Sequence, residues 1–259
     1  METQAASDAH AAGFAVAVGE RSRASIAAVL FDVDGVIADT ARLHTEAWAR
    51  LAALERLPFD RETAEALRGL SREDSLRRVL GARRVTQQSF HDMLDRKNAF
   101  YLELLEAAGP ADCLPGAVGL LGEFAELGMR RAAVSLSRNA GRVLERLGIF
   151  ERFDVIVDGT AQTGGSGLDR YHRAAALLGV APRRCLVFED SAAGIATAKN
   201  AGMRTIGLGD PRRLAAADMV FESLRGVSAR CVLRWLGGSA ATGEEPPAPG
   251  GCRIVAGHV

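Results

Sequence analysis

A short apolar run that ends in two carboxylates constrains this chain more than any other feature. The run lies in Ala27 to Thr40, Ala-Ala-Val-Leu-Phe-Asp-Val-Asp-Gly-Val-Ile-Ala-Asp-Thr, and Ala28 to Phe31 is typical of a buried parallel strand. Because charges are costly inside a core, Asp32 and Asp34 must face solvent, a metal ion or a ligand. Alternation puts both carboxylates on one side, and Gly35 permits a sharp turn. The alternative is an exposed strand-to-loop corner, where Asp and Gly are common.

Length and composition indicate an ordinary globular protein. The 259 residues suffice for one large domain, or for a core domain with a smaller insert. The formal net charge of +0 argues against nucleic acid or an anionic membrane as the main partner. The cysteines lack Cys-x-x-Cys spacing, which is typical of reduced cytosolic thiols. The apolar stretch 11–19 follows no basic region and is too short to span a membrane. We therefore expect a cytoplasmic monomer.

Strands and helices are predicted to alternate along most of the chain. Short apolar runs predict strands at 28–31, 131–137, 153–157, 185–188 and 205–208, with a possible edge strand at 218–221. The pattern between the first two runs is helical throughout. We expect a flexible leader at 1–25, a core domain from 26–40 and 111–236, a helical insert at 41–110, and a disordered tail at 237–259. The alternation predicts an α/β fold with a parallel sheet and right-handed crossovers.

A second acidic pair, Glu189-Asp190, also follows an apolar strand. Parallel strands lying side by side would bring these carboxylates close to Asp32. Such an oxygen-rich site suits a hard octahedral cation such as Mg²⁺. Capping of the following helix is the alternative interpretation of the pair.

The stretch from Phe31 to Thr40 resembles the first motif of the haloacid-dehalogenase-type phosphotransferases. The resemblance runs from about Ala27 to about Asp210, and within the family it is narrower for the β-phosphoglucomutases, because Gly69 to Leu76 and Arg96-Lys97-Asn98 are similar to their cap motifs. It implies a Rossmann-like parallel-sheet core with a small inserted α-helical cap over the active site. Thr40 and residues 110–115 would form the hinges.

The resemblance also implies roles for individual residues. Asp32 would be the nucleophile that forms an aspartyl-phosphate, and Asp34 the general acid and base. Mg²⁺ would be held by Asp32, by the backbone carbonyl of Asp34 and by Asp190, with Glu189 either a ligand or a support for one. The implied substrate-binding residues are Thr40, His44, Trp48, Gly69, Leu70, Arg72, Ser75, Lys97, Asn98, Ser135, Ser137, Arg138 and Asn139.

Within that set, Arg72 would bind the phosphate that is not being transferred, and Ser135 the phosphate that is. His44 and Trp48 lie four residues apart on one helical face, where a partly buried aromatic cluster is the alternative interpretation. Lys97 is one of only two lysines in the chain, which favours a specific role.

The chain departs from the family pattern at one position. The family has a lysine before the helix that begins near Asp169, and here the aligned position is Gly165 or Ser166. That lysine bridges nucleophile and phosphate, so its loss could cost several orders of magnitude in rate. Arg170 or Arg138 could replace it, although Arg170 could equally face solvent.

The resemblance implies a magnesium-dependent mutase that interconverts β-glucose 1-phosphate and glucose 6-phosphate. A sugar-phosphate phosphatase is the enzymatic alternative, because water can replace the sugar as acceptor. A catalytically weakened phosphosugar-binding relative is a third interpretation, motivated by the missing lysine. The expected partner in each case is a small phosphorylated sugar.

Overall fold

The structure is a computed structural model, and it describes residues 25–161 and 170–238. The leader expected at 1–25 lies outside this part of the chain apart from Ser25. Residues 162–169, which include Gly165 and Ser166, also lie outside it, as does the expected tail beyond Gly238.

The core is a six-stranded sheet in which every neighbouring pair is parallel. Its strands are β1 (Ala28–Asp32), β2 (Arg130–Val134), β3 (Val155–Val157), β4 (Cys185–Glu189), β5 (Arg204–Leu208) and β6 (Met219–Phe221). They are arranged in the order β3-β2-β1-β4-β5-β6. Strands β1 and β4 are buried along their whole length, which explains their continuous apolar sequences. This confirms the predicted α/β fold.

Helices cover both faces of the sheet. They are α5 (Ala117–Glu126), α6 (Ala140–Arg146), α7 (Arg170–Leu178), α8 (Ala192–Asn200) and α9 (Ala229–Gly238). The apolar faces of α5, α6 and α9 pack in one core cluster, which includes Phe31 and Phe188. Helix α7 packs in a second cluster on the other face, against residues such as Leu30 and Val187. The rings of Phe31 and Phe188 stack at 4.8 Å between centroids, joining the two central strands.

A helical cap is inserted between β1 and β2. It consists of α1 (Ala41–Glu55), α2 (Arg61–Ala66), α3 (Arg72–Leu80) and α4 (Gln87–Leu105), and it has an apolar cluster of its own. Its two connections to the core run side by side. Ala38 and Cys113 form an isolated antiparallel bridge, and the Asp39 amide donates to the Asp112 carbonyl oxygen. This pairing lies where the family resemblance places the hinges.

The sequence analysis missed helix α9. Its amphipathic pattern ends in glycines, and the helix continues to Gly238, two residues into the segment expected to be a tail. Strand β2 ends at Val134 instead of Ser137, although the Ser135 amide still donates to the Val157 carbonyl oxygen. None of the helices in the described ranges is both long enough and apolar enough to cross a membrane.

Candidate active site

Four acidic residues meet at the carboxyl edge of the sheet. Asp32 ends β1 and Asp34 follows it, while Glu189 ends the neighbouring strand β4 and Asp190 follows that strand. The chain leaves β1 for one side of the sheet and β4 continues towards the other, which makes this edge a topological switch point. Open α/β sheets bind ligands at such points.

Asp32, Glu189 and Asp190 can each offer an oxygen, and these oxygens lie within 4.8 Å of one another. Burial raises the pKa of Asp32 well above its usual value, and the charges of Glu189, Asp190 and Asp34 raise it further. Burial and the charge of Glu189 likewise raise the pKa of Asp190, to about 7. Carboxylates crowded in this way are best neutralised by a cation, and an all-oxygen donor set fits Mg²⁺.

Hydrogen bonds hold both oxygens of Glu189. The backbone amide of Ser191 donates to Oε1 at 3.0 Å and its hydroxyl at 2.8 Å. On the other side, Tyr171 Oη donates to Oε2, and so does Arg170 Nη2, at 3.3 Å. The carboxylate is almost fully buried, at 2% side-chain exposure. Glu189 is therefore fixed in one orientation before any ligand binds.

Two glycines bring main chain against these carboxylates. A Cβ atom at Gly35, where φ is +92°, would lie 2.3 Å from Asp190 Oδ2. A Cβ atom at Gly194, in helix α8, would lie 1.9 Å from Glu189 Oε2. Because neither distance is physically possible, both positions require glycine.

Asp34 is held in its ionised form. Its Oδ1 accepts a hydrogen bond from Thr40 Oγ1 at 2.5 Å and lies 3.5 Å from His44 Nε2, and its Oδ2 accepts from Ser135 Oγ at 3.2 Å. Burial raises the pKa of Asp34, but the electrostatic attraction of the His44 imidazole and these hydrogen bonds outweigh burial and lower it. An ionised carboxylate at this edge of the sheet can accept a proton.

Behind Asp34, a buried lysine contacts the imidazole of His44. Lys97 Nζ lies 2.8 Å from His44 Nδ1 and 5.0 Å from the ring centroids of both Trp48 and Tyr101. Because an ammonium group can only donate, this contact makes Nδ1 the acceptor and puts the imidazole proton on Nε2, towards Asp34. Burial, followed by the charge of Arg72, lowers the pKa of Lys97 to about 7.

Residues of the cap and the core share a polar contact at Asn98. The Asn98 Oδ1 atom accepts from Arg72 Nη2 and from Asn139 Nδ2, each at 2.9 Å. Burial lowers the pKa of Arg72, and the positive charge of Arg138 lowers it further. Two guanidinium groups held close enough to repel each other make a favourable site for an anion.

A profile of the haloacid dehalogenase-like hydrolases matches residues 26–202. The chain belongs to this family. It is 40% identical to the β-phosphoglucomutase of Bacillus subtilis over 198 residues, which cover 74% of this chain and 88% of that protein. It is 29% identical to the phosphorylated carbohydrates phosphatase of Thermotoga maritima, over 69% of this chain and 83% of that protein. The structure of a β-phosphoglucomutase from Clostridium difficile superimposes with a TM-score of 0.78 at 31% identity, covering 82% of this chain and 97% of that one.

The cavity between core and cap in this family member has a volume of about 150 Å³. It brings together most of the residues that the sequence analysis selected. Its lining includes Asp32, Asp34, His44, Trp48, Gly69, Leu70, Arg72, Ser75, Lys97, Ser135, Ser137, Glu189 and Asp190. The other four contact lining residues or their neighbours. Thr40 donates to Asp34, and Asn98 accepts from both Arg72 and Asn139. Arg138 forms an ion pair with Glu73 at 3.3 Å.

The sequence analysis did not select two arginines that line the cavity. Arg68 Nη1 lies 3.0 Å from Asp190 Oδ2, so the cap reaches a candidate metal ligand directly. This arginine directly precedes Gly69, and its place beside a quoted cap motif was the available signal. Arg170 was considered, but its direction was left open. It faces Glu189 and keeps only 10% side-chain exposure.

Proposed function

We propose that the protein is a magnesium-dependent mutase that interconverts β-D-glucose 1-phosphate and D-glucose 6-phosphate. The observation that carries this proposal is one cavity lined both by an acidic cluster and by a cation of the cap. The carboxylates of Asp32, Glu189 and Asp190 line it together with the guanidinium of Arg72. A mutase must hold two phosphates at once, one at the nucleophile and one at a cationic site. The 40% identity to a β-phosphoglucomutase supports the same assignment.

Asp32 would carry the phosphoryl group. Its carboxylate lies beside the candidate metal ligands, at the edge of a buried strand. Asp32, Glu189 and Asp190, together with the Asp34 backbone carbonyl, would hold Mg²⁺, which when bound offsets the repulsion between the carboxylate and the phosphate. Ser135, whose hydroxyl also contacts Asp34, would bind an oxygen of the transferring group.

Asp34 would handle the proton in both half-reactions. The 6-hydroxyl of glucose 1-phosphate attacks the phosphorus of phospho-Asp32, its proton passes to Asp34, and the bond from phosphorus to the Asp32 oxygen breaks. The resulting bisphosphate turns round in the cavity, and Asp32 attacks the phosphorus of its 1-phosphate. As the bond from phosphorus to O1 breaks, Asp34 returns the proton to O1 and glucose 6-phosphate leaves. The lowered pKa of Asp34 keeps its carboxylate ionised, as the first half-reaction requires of a group that accepts a proton.

Arg72 would hold whichever phosphate is not reacting. Asn98 fixes its guanidinium, and Arg138 adds positive charge nearby. Since Arg72 and Asn98 belong to the cap and Asn139 to the core, a phosphate bound here would also hold residues 41–110 closed over the core domain. Closure would exclude water, which competes with the sugar hydroxyl.

The test is to incubate the protein with β-glucose 1-phosphate, Mg²⁺ and a trace of glucose 1,6-bisphosphate, measuring glucose 6-phosphate and inorganic phosphate together. Asp32→Asn is the blank. Glucose 6-phosphate without matching phosphate release is the expected result. Formation of neither product above the blank would refute an enzymatic role and leave the phosphosugar-binding alternative.

A pair of arginine variants tests whether Arg72 binds the phosphate that is not being transferred. Arg72→Met should raise KM for glucose 1-phosphate at least tenfold, because a charge-assisted contact to phosphate is lost, while hydrolysis of p-nitrophenyl phosphate should change little. Arg78→Met, an exposed arginine on the same helix, is the matched control. Equal losses with both substrates would refute a second phosphate site at Arg72.

A sugar-phosphate phosphatase is the second candidate. The observation that favours it is the 29% identity to the Thermotoga maritima phosphatase, since hydrolysis uses the same nucleophile with water as acceptor. In the assay above, phosphate release that equals substrate consumption, without glucose 6-phosphate, would establish this candidate instead of the mutase.

A further inference from the structure

The part of the cavity around Glu189 has an excess of acidic groups. Three carboxylates with oxygens within 4.8 Å of one another line it, and Asp34 adds a fourth negative charge. An incoming phosphate would add more. In the sequence, glycine or serine occupies the position where the family has a lysine. A fixed cation from another position would add to the effect of bound Mg²⁺ and help a phosphate to approach Asp32.

Arg170 is positioned to supply this charge. It is the first residue of α7, its Nη2 lies 3.3 Å from Glu189 Oε2, and its guanidinium carbon lies 4.7 Å from the ring centroid of Tyr171. Its side chain is 10% exposed and lines the cavity together with Asp32. Its positive charge lowers the pKa of Asp32, opposing the effect of burial and of the neighbouring carboxylates.

Two other arginines are less well placed. Arg138 has a side chain that is 51% exposed and pairs with Glu73 of the cap. Arg68 pairs with Asp190 from the cap side, with a side chain that is 39% exposed, so its position depends on the cap. Arg170 belongs to the core and contacts Glu189, which is the most buried of the clustered carboxylates.

We propose that Arg170 supplies the fixed positive charge of the phosphoryl-transfer site, pinning Glu189 and attracting phosphate oxygens to Asp32 in place of a loop lysine. This proposal rests on phosphoryl transfer to Asp32. Arg170 transfers no proton and forms no covalent bond. It acts by charge, and it positions Glu189.

A fixed cation next to a metal site makes opposite contributions to two equilibria. It repels Mg²⁺ and attracts an anion bound to Asp32. Arg170→Met should therefore tighten binding of Mg²⁺ alone severalfold and weaken binding of fluoroberyllate, a phosphoryl mimic that bonds to an aspartate oxygen, at least tenfold in the presence of Mg²⁺. Calorimetric titration measures both affinities. The turnover number should fall about a hundredfold, as when one transition-state donor is removed.

Three further variants separate charge from structure. Arg170→Lys should retain most of the fluoroberyllate affinity, whereas Arg170→Gln keeps a donor for Glu189 but should behave like Arg170→Met. Arg173→Met, an exposed arginine on the same helix, should change neither affinity. If Arg170→Met does not fold, by circular dichroism, Arg170→Gln takes its place in the comparison.

If Arg170→Met weakens the binding of both Mg²⁺ and fluoroberyllate, Arg170 merely supports the structure. If the fluoroberyllate affinity is unchanged, Arg170 has no role towards phosphate. Either result overturns the proposal. If the wild-type protein does not bind fluoroberyllate, phosphoryl transfer to Asp32 itself fails. The Mg²⁺ titration of Arg170→Met then still tests the charge effect of Arg170. A Mg²⁺ affinity equal to that of the wild-type protein overturns the proposed charge effect.

Discussion

Replacing Lys97 should change the stability of the protein in a strongly pH-dependent way. Burial lowers the pKa of this lysine from 10.5 to about 7. Below pH 7 the side chain is charged in both the folded and the unfolded protein, so folding bears the full cost of burying the charge, roughly 5 kcal/mol for such a shift. Above pH 7 the folded lysine loses its proton while the unfolded one keeps it. The stability of the wild-type protein therefore rises by about 1.4 kcal/mol per pH unit from this group.

Lys97→Met removes this dependence. The variant should be the more stable protein at pH 6, since the charge cost exceeds the lost contact to His44, worth about 1 kcal/mol. The difference in the free energy of unfolding between the variant and the wild-type protein should shrink by roughly 3 kcal/mol between pH 7 and pH 9, which is two pH units at the slope given above. Urea unfolding at pH 6, 7 and 9 without Mg²⁺ measures the difference. Turnover in the sugar-phosphate assay proposed above should fall at the same time, because His44 loses its donor.

The chain provides its own control, because its only other lysine is Lys199. That side chain is 40% exposed and pairs with Asp218 at 3.1 Å. Lys199→Met should change stability by a similar amount at every pH from 6 to 9. A stability difference for Lys97→Met that is equally independent of pH would refute the reasoning, because it would mean that the buried lysine keeps an ordinary pKa.

Two further predictions concern the candidate metal ligands of the cavity. Asp190 has a folded-state pKa of about 7 against an ordinary 3.8, so its contribution to stability is complete below pH 4 and is lost as the pH rises to 7. Asp190→Asn should therefore stabilise the metal-free protein at pH 8 more than at pH 5. In thermal melts, only the wild-type protein should gain much stability from added Mg²⁺. An equal gain in the variant would argue against Asp190 as a metal ligand. Arg68→Gln removes the cap arginine from Asp190, and Mg²⁺ should then bind severalfold more tightly in a calorimetric titration. Unchanged affinity would mean that the ion pair does not compete with the metal.

The core sheet was readily predicted from the sequence because its central strands are buried on both faces. Continuous apolar runs such as Ala28 to Phe31 have no other simple interpretation when turn residues follow. Helix α9 was missed because its sequence merges into a glycine-rich segment, so composition obscured its amphipathic pattern.

The carboxylates of the site were selected because Asp and Glu at strand ends are local signals. The contacts of the arginines were not accessible in this way. Arg68 and Asp190 are 122 residues apart, and no local pattern predicts that they meet. The direction of Arg170 depends on Glu189, which reaches it from another strand. Such contacts follow only from how β4, α7 and the cap pack together.

The two glycines beside Glu189 and Asp190 have a consequence for ion selectivity. Main chain at Gly194 and Gly35 lies directly against these carboxylates, so neither carboxylate can move towards it without displacing a helix or a turn. Calcium needs six to eight oxygens at longer distances than magnesium does, and a site accommodates it by spreading its ligands. Carboxylates that cannot spread therefore favour the smaller ion. If the cluster holds a divalent cation, we expect the two glycines to disfavour calcium relative to magnesium.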